Sequence, residues 1–344
     1  MIKKLICAGL LLLGLTSAWA QQNKMNLFIW SEYIDPEIVK DFEKKFDCKV
    51  TIDLYEDEDS MLAKLQGGGS SLYDVVVPPD QQIKTLVKLK LIAPLRHANI
   101  PNLKNLEDRF RTLPYDKGNK YTVAYQWGTV GLYARKPKDK PLDETWALIF
   151  DPAKQIGPFL LMDTSRDLIG AALKYKGYSL NSTDKKELMA ARELVLDAKK
   201  RSLGFENGVG AKNKVLAKTA TAAVVYNGDA VRGMKEDPET RFFVPKEGGI
   251  LWVDNLAVLS KAPHRDMAEK FINYLLEPEV GAKLAAFSQY ASPNQAAKAL
   301  ISPDDLKNPA IYPPAEIMPK LEYIEDVGAK SRLYDEIWTQ IKAK

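Results

Sequence analysis

The sequence predicts an α/β fold of two lobes, each a mostly parallel sheet flanked by helices. Short apolar runs alternate with amphipathic helical segments, an order that favours parallel strands joined by helical crossovers. The alternation stops and restarts after the polar stretch at 135–138. A chain of 344 residues is also long for one hydrophobic core, which favours two lobes.

The first lobe begins with a strand–helix–strand unit. Asp35 and Pro36 mark a helix start, because Asp caps a first turn and Pro fits the first helical position. A second, short helix stops at Gly67. We therefore predict strands at 27–30, 50–54 and 73–77, and helices at 36–46 and around 61–65.

The second half of the chain repeats this alternation. Asp184 followed by Glu187 is a capping signal for a long helix. Apolar runs bounded by polar or turn residues indicate buried strands. We predict strands at 158–162, 221–226, 250–252 and 256–258, and helices at 165–175, 184–200 and 266–276.

The first twenty residues predict a cleaved secretory leader, 1–20. Two lysines precede an apolar stretch, and an A-x-A cleavage site ends at Ala20. Cys7 lies inside the apolar stretch and not at the cleavage point, so we expect no lipid anchor. No later segment is apolar enough to span a bilayer, and the mature protein is expected to be soluble and periplasmic.

Charge and cysteine content exclude two further classes. The leader holds two of the 49 basic residues and none of the 45 acidic ones, so the mature chain is nearly neutral. Acids and bases are interspersed without a basic stripe, so no nucleic-acid partner is expected. Cys48 is the one cysteine after the leader, which excludes an internal disulfide, and we expect it to be a small buried hydrophobe.

Polar and aromatic residues follow the ends of five predicted strands. Ligands of open α/β sheets bind beyond the carboxyl ends of the strands. Each residue alone is better explained as a helix cap or a core aromatic, but five such ends together indicate a binding site. The candidate ligand-binding residues are Trp30, Ser31, Glu32, Tyr33, Asp80, Gln81, Asp167, Tyr226, Asp229, Trp252 and Asp254, with Tyr290 as a further aromatic.

Carboxylates beside aromatic rings suit an organic cation. Aromatic faces cover a methylene chain and attract a cation by roughly 0.5–2 kcal/mol. Carboxylates at separate strand ends can hold two amines at a set distance. The sequence therefore predicts a linear diamine or polyamine, with charge supplied by Glu32, Asp167, Asp229 and Asp254.

Catalytic, metal and nucleotide sites are not indicated. Asp163 and Asp167 are two acidic residues, as in the catalytic pair of a glycosidase. Their spacing in the sequence alone does not assign one as the acid and the other as the nucleophile. His97 and His264 are expected at the surface, so no histidine triad is supported. Zinc, redox, hydrolase and phosphate-loop motifs are lacking, and calcium prefers many oxygens without aromatic faces. We expect no catalytic residue, metal or cofactor.

Six segments occur in order over nearly the whole mature chain: 26–33, 73–78, 125–129, 245–254, 290–294 and 308–313. In this order they resemble the periplasmic spermidine/putrescine-binding proteins of bacterial polyamine ABC transporters. The resemblance implies a type II solute-binding protein with a Venus-flytrap fold, monomeric when free, that delivers its ligand to a membrane permease. We predict a ligand cleft between lobe 1, at 25–130 plus 256–301, and lobe 2, at 131–255 plus 302–344.

Carried over by position, the resemblance implies binding roles for Trp30, Glu32, Tyr33, Trp252, Asp254 and Tyr290. Asp167 stands where the family has a glutamate, and Tyr226 where a tryptophan is usual. Both replacements keep the chemical type.

Other positions depart from the family. Pro79-Asp80-Gln81 lacks an aromatic wall but adds an acid, while Thr164 and Ile324 replace an acid and a glutamine. Asp229 matches an aspartate of putrescine-preferring members. The preferred ligand is therefore open among putrescine, cadaverine, spermidine, norspermidine and agmatine.

Two other functions stay open at this point. A periplasmic polyamine sensor would use the same fold and dock on a membrane signalling receptor; neighbouring permease or receptor genes would separate the two. The second alternative is an exported enzyme that acts on an amine or sugar, and turnover of a candidate ligand would support it.

Overall fold

The computed structural model describes residues 23–138 and 141–343, and the predicted leader with Cys7 lies outside them. The strands are β1 (Asn23–Trp30), β2 (Cys48–Tyr55), β3 (Val75–Val76), β4 (Thr122–Arg135), β5 (Phe159–Met162), β6 (Phe205–Glu206), β7 (Ala222–Tyr226), β8 (Thr240–Phe243), β9 (Gly249–Val258) and β10 (Leu321–Glu322).

Helices follow most of the strands. They are α1 (Pro36–Phe46), α2 (Glu58–Gln66), α3 (Ile83–Lys88), α4 (Ala147–Phe150), α5 (Ser165–Tyr175), α6 (Lys185–Arg201), α7 (Gly208–Leu216), α8 (Asn227–Glu236), α9 (Arg265–Leu275), α10 (Pro278–Ser288), α11 (Pro303–Lys307) and α12 (Ser331–Ala343). Within the described residues, no helix combines the length and apolar character needed to cross a bilayer.

Two long antiparallel strands, β4 and β9, join the parallel parts of the sheet. The strand order is β2-β1-β3-β9-β4-β7-β5-β6, with β10 beside β9 and β8 beside β4. β1 runs parallel to β2 and β3, whereas β5 runs parallel to β6 and β7. β4 and β9 lie in the middle of the strand order. Their pairing has one local irregularity, a shift of register between Ala124 and Gln126.

Two large hydrophobic cores lie on either side of this strand pair. One draws its buried residues from 25–125 and 256–290, and the other from 130–250 and 324–341. Tyr226 and Trp252 pack against both cores, so their rings lie at the junction. The lobe boundaries that we derived from the sequence stay a prediction.

Local sequence signals predicted several elements well. α1 and α5 have the predicted bounds, and the Asp35 carboxylate accepts the Glu37 N–H as its cap. Asp184 caps α6 by accepting the N–H groups of Lys186 and Glu187. Cys48 is buried and free, as expected.

Other elements differ from the predictions. β9 is one continuous strand where we predicted two, and Asp254 lies within it, in the strand pair that joins the two parallel parts of the sheet. β4 was not predicted, because Gly128 and Gly131 interrupt its apolar residues and are usually turn signals. Asp229 follows a strand as predicted, but it already belongs to the first turn of α8.

His264 is also not a simple surface residue. Its backbone N–H and ring Nδ1 both contact the fully buried carboxylate of Asp74, with Nδ1 3.1 Å from Oδ2. The same carboxylate accepts the Asn26 N–H at 2.7 Å. Asp74 and His264 therefore tie the start of α9 to β1.

Candidate functional site

Four aromatic rings form a continuous line across the junction of the two cores. Tyr33 lies 5.7 Å from Tyr290, Tyr290 lies 5.0 Å from Trp252, and Trp252 lies 5.9 Å from Tyr226, measured between ring centroids. Each pair meets edge to face, at interplanar angles of 72–84°. Tyr33 and Tyr290 are buried, whereas Tyr226 and Trp252 are only partly buried, so the latter two rings are the ones that can offer a face to a cation or an alkyl chain.

Tyr33 is fixed from the β4 side. The Tyr125 hydroxyl donates a hydrogen bond to the Tyr33 carbonyl oxygen at 2.8 Å, and the two rings lie 5.5 Å apart. Tyr125 occupies the position where the β4 register shifts. The strand irregularity therefore places the ring that supports Tyr33.

Asp254 on β9 lies beside this line. The Tyr33 hydroxyl donates to its Oδ2 at 2.6 Å, and the carboxyl is buried. Burial raises the pKa of Asp254 to about 7, against the opposing effect of the Tyr33 hydrogen bond. A buried carboxylate with one neutral partner is stabilised by a cation, so this position suits an ammonium group.

Asp167 supplies a second buried acid near the Tyr226 end. It lies in the first turn of α5, and the Tyr226 hydroxyl donates to its Oδ2 at 3.4 Å. Burial and then the nearby Glu58 carboxyl raise the pKa of Asp167 to about 7, while Arg166 opposes the shift. Like Asp254, it is poised to bind a cation near neutral pH.

Asp80 is the most isolated of the predicted acids. Its Oδ1 accepts the Gln81 N–H at 2.8 Å, whereas its buried Oδ2 has no hydrogen-bond partner in the described part of the chain. Burial and the neighbouring Asp254 raise its pKa well above the ordinary range. An unsatisfied buried oxygen is costly, which favours a donor from a ligand or water.

Glu58 joins this acidic group although the sequence analysis did not select it. The Gln81 side-chain amide donates to its Oε2 at 2.7 Å, and burial raises the pKa of Glu58. Its charge in turn raises the pKa of both Asp167 and Asp254, so it faces the same space. Glu58 and Asp59 both lie in the first turn of α2, where acidic residues are common. The sequence alone therefore does not distinguish Glu58 from an ordinary first-turn acid.

Glu32 and Asp229 meet a cation of the protein itself. Asp229 is buried, and Arg232 donates to its Oδ1 from Nη2 at 2.6 Å. The same Nη2 lies 3.8 Å from Oε2 of the exposed Glu32. Burial raises the pKa of Asp229, while Arg232 opposes that shift. The sequence offered no signal for Arg232, because a basic residue within a helix usually faces solvent.

Trp30 and Ser31 make structural contacts. The indole N–H of Trp30 donates to the Val77 carbonyl oxygen at 3.1 Å, and its ring lies 4.5 Å from that of Tyr55. The Ser31 hydroxyl donates to Glu56 Oε2 at 2.9 Å. These bonds hold the end of β1 in place beneath Glu32 and Tyr33.

Asp163 and Trp127 lie outside this group of residues. Asp163 is exposed and pairs with Lys342 at 2.6 Å, so the structure joins it to α12. Trp127 is almost fully buried, with Phe110 and Tyr312 as ring neighbours, which is a packing role. Within residues 23–138 and 141–343, no group of three or more His, Cys, Asp or Glu side chains is arranged to hold a metal.

The chain is similar to known proteins along most of its length. Residues 37–314 match the family of bacterial extracellular solute-binding proteins. The spermidine/putrescine-binding periplasmic protein of Salmonella typhimurium is 33% identical over 343 residues, which cover 99% of this chain and 98% of the relative. The putrescine/cadaverine-binding protein of Pseudomonas aeruginosa is 31% identical, with 100% of both chains covered.

A solved structure shows the same likeness in three dimensions. The spermidine/putrescine ABC transporter substrate-binding protein PotD of Streptococcus pneumoniae is 27% identical and superposes with a TM-score of 0.82. The match covers 93% of this chain and 99% of that one.

Proposed function

Because the chain belongs to the family of bacterial extracellular solute-binding proteins, we propose that it binds a linear polyamine for an ABC importer in the periplasm. The family confirms the predicted class of a two-lobed α/β solute-binding fold. Two relatives carry spermidine, putrescine or cadaverine in their names, which supports this ligand class.

One observation carries the proposal: among the residues that the structure describes, three buried acids near the aromatic line have only neutral hydrogen-bond partners. These partners are tyrosine hydroxyls for Asp254 and Asp167 and a backbone N–H for Asp80. Polyamine ammonium groups would supply the missing positive charge, and the methylene chain would lie along Trp252 and Tyr290. A sugar carries no positive charge, and a neutral amino acid brings a carboxylate with its single ammonium group, so neither would compensate three acids.

Binding groups on both sides of the core junction allow the ligand to drive closure. Asp167 belongs to α5 of the second half, whereas Tyr33 and Asp80 come from the first. A ligand that contacts both sides stabilises the closed arrangement by its differential affinity for it. We propose that the closed, loaded protein is the form that docks on the membrane permease, and that it docks as a monomer.

Export follows from the leader at 1–20, which we propose is removed after Ala20 without lipid attachment. Amino-terminal sequencing and intact mass of the periplasmic protein test this directly. A mature chain that starts at Gln21 is expected, and a lipid-modified cysteine would contradict it.

Tryptophan fluorescence tests the ligand class. The mature protein, unfolded and refolded to remove carried ligand, is titrated with putrescine, cadaverine, spermidine, norspermidine and agmatine, with an amino acid and a sugar as controls. We expect saturable changes with one or more polyamines, because Trp252 lies in the aromatic line. Mass spectrometry of the bound ligand is expected to show no turnover, and a chemically altered ligand would favour an enzyme.

A further inference from the structure

Arg232 occupies one end of the candidate site as a built-in cation. Its guanidinium is fixed from three sides: Nη2 contacts Asp229 at 2.6 Å and Glu32 at 3.8 Å, and Nη1 donates to the Ser288 carbonyl oxygen at 3.3 Å. The side chain is only 23% exposed. An arginine held in this way is part of the site wall and not a free surface charge.

Asp229 has little capacity left for a ligand. One carboxylate oxygen accepts from Arg232, and the other faces the start of α7. A methyl group at Gly208 would lie 2.6 Å from that second oxygen, so the backbone there approaches the carboxylate closely. The carboxylate is therefore enclosed by its own protein.

Arg232 lies beside Tyr290, the ring next to Tyr33 in the aromatic line. It donates to the Ser288 carbonyl oxygen, two residues before Tyr290, and the first turn of α8, just before Arg232, packs on the same ring. A methyl group at Gly228 would lie 2.5 Å from the Tyr290 ring. A ligand chain that passed Tyr290 towards Glu32 and Asp229 would therefore bring its ammonium group to the Arg232 guanidinium.

A ligand ammonium at this end would meet a positive charge in place of two free acids. Like charges within a few ångströms repel strongly where water is scarce. Asp254, Asp167 and Asp80 keep neutral partners and stay available to ammonium groups. The site is therefore shortened from one end by the protein's own cation.

We propose that Arg232 is a specificity-determining residue that closes the Glu32–Asp229 end of the cleft to ligand ammonium groups. The cleft then prefers a diamine, bound on Asp254, Asp167 and Asp80, over a longer triamine. This inference rests on the proposed polyamine-binding function, and it removes Glu32 and Asp229 from the groups that contact the ligand.

The test compares the dissociation constants of putrescine and spermidine for the refolded mature protein and for Arg232→Gln. Wild-type protein is expected to bind putrescine more tightly. Arg232→Gln frees two acids and is expected to improve spermidine binding relative to putrescine by tenfold or more. Arg241→Gln is the matched control, because Arg241 pairs with Glu144 at 2.7 Å in an exposed ion pair outside the cleft.

A second substitution separates direct ammonium binding from a general loosening of the cleft. In the Arg232→Gln background, Asp229→Asn removes the freed carboxylate and is expected to cancel the gain in spermidine affinity. A spermidine-to-putrescine ratio within twofold of wild type in a folded Arg232→Gln protein would overturn the inference. So would wild-type preference for spermidine by tenfold or more.

Glu32→Gln keeps the inference testable if Arg232→Gln does not fold. Glu32 is exposed, so this variant should fold, and its putrescine affinity is expected to change less than threefold. A tenfold loss would show that Glu32 binds the ligand and would overturn the inference. Wild-type protein that binds neither amine would instead refute the proposed function itself.

Discussion

At the scale of single residues, Asp254 is the acid on which the proposed site depends most. Asp254→Asn keeps the side-chain shape and a group that can pair with Tyr33, but removes the charge that would bind an ammonium group. We expect polyamine affinity to fall by more than tenfold, as charge-assisted hydrogen bonds are much stronger than neutral ones. Titration calorimetry measures the change.

Asp163→Asn is the control for this variant. Asp163 is an exposed acid that pairs with Lys342, and its removal should leave affinity within twofold. If Asp254→Asn and Asp163→Asn bind equally well, the role assigned to Asp254 is wrong.

Glu58 offers a second prediction at this scale. Glu58→Gln removes a negative charge that faces Asp167 and Asp254, so the pKa of both carboxyls should fall. The site also loses the attraction of that charge for a cation, and we expect this loss to weaken ligand affinity by roughly three- to tenfold. The neighbouring exposed Asp59 provides the control Asp59→Asn, which should have no effect. Equal affinities in the two variants would place Glu58 outside the site.

Residue types revealed part of the site but not all of it. The structure places Tyr33, Asp254, Asp167, Tyr226, Trp252 and Tyr290 together, and each was selected because it follows a strand or matches the family. Glu58 and Arg232 were missed because a first-turn acid and a helical arginine are ordinary features of solvated helices. Their positions near the other candidate residues are visible only in the three-dimensional structure.

At the scale of elements, β4 and β9 position the site, and they were the hardest strands to predict. The sequence of β4 contains Gly128 and Gly131, which read as turn signals within an otherwise buried strand. In the structure both glycines allow close packing: a methyl group at Gly128 would contact Asn227 and lie 2.5 Å from the Trp252 ring. Gly128 is therefore explained by the close approach of Asn227 and Trp252 to the backbone, and not by a turn.

Gly128→Ala should therefore displace Trp252 and Asn227. The Asn227 side chain accepts the Thr129 N–H at 3.0 Å and donates to the Ala310 carbonyl oxygen at 2.9 Å, so it links β4 to α8 and the later chain. We expect the free energy of unfolding to fall by about 1–3 kcal/mol and polyamine affinity to weaken. Urea unfolding and fluorescence titration measure both effects.

The exposed Gly67, which follows α2, gives the control Gly67→Ala. A methyl group there would find its nearest atom 3.2 Å away, and the site lies elsewhere. Affinity should not change. Unaltered stability and binding in Gly128→Ala would show that Trp252 does not depend on this close contact.

At the scale of the whole molecule, the acidic cleft should make the unliganded protein sensitive to pH. Asp167 and Asp254 have pKa values near 7 when folded, against about 4 when unfolded. The folded state therefore holds more protons between these values. Stability should fall as pH rises from about 4 to 7, by no more than roughly 1.4 kcal/mol per pH unit for each carboxyl.

Thermal unfolding of the stripped protein between pH 5 and pH 8 measures this slope. The double variant Asp167→Asn/Asp254→Asn should show a flatter dependence, since asparagine does not titrate. Bound polyamine should restore stability at the higher pH. A wild-type protein that becomes more stable from pH 5 to pH 7 would contradict the buried, uncompensated carboxyls.

The general architecture was readable because strand–helix alternation, helix caps and family segments agree with one another. The sequence did not show how the two halves of the chain contact each other. Those contacts depend on two long strands and on side chains that are far apart in the chain. Arg232, for example, meets Glu32 across 200 positions of sequence (232 minus 32). Such contacts leave no local pattern.

Isothermal titration calorimetry of the refolded protein with putrescine is the most direct measurement of polyamine binding by the buried acids. Run near pH 6.5 in two buffers of different ionisation enthalpy, it reports stoichiometry, affinity and the protons exchanged. We expect saturable one-to-one binding at micromolar or tighter Kd with release of protons, because Asp254 and Asp167 must ionise to bind ammonium groups. A folded protein that shows no saturable binding of putrescine, nor of any longer polyamine in the same experiment, would contradict this expectation.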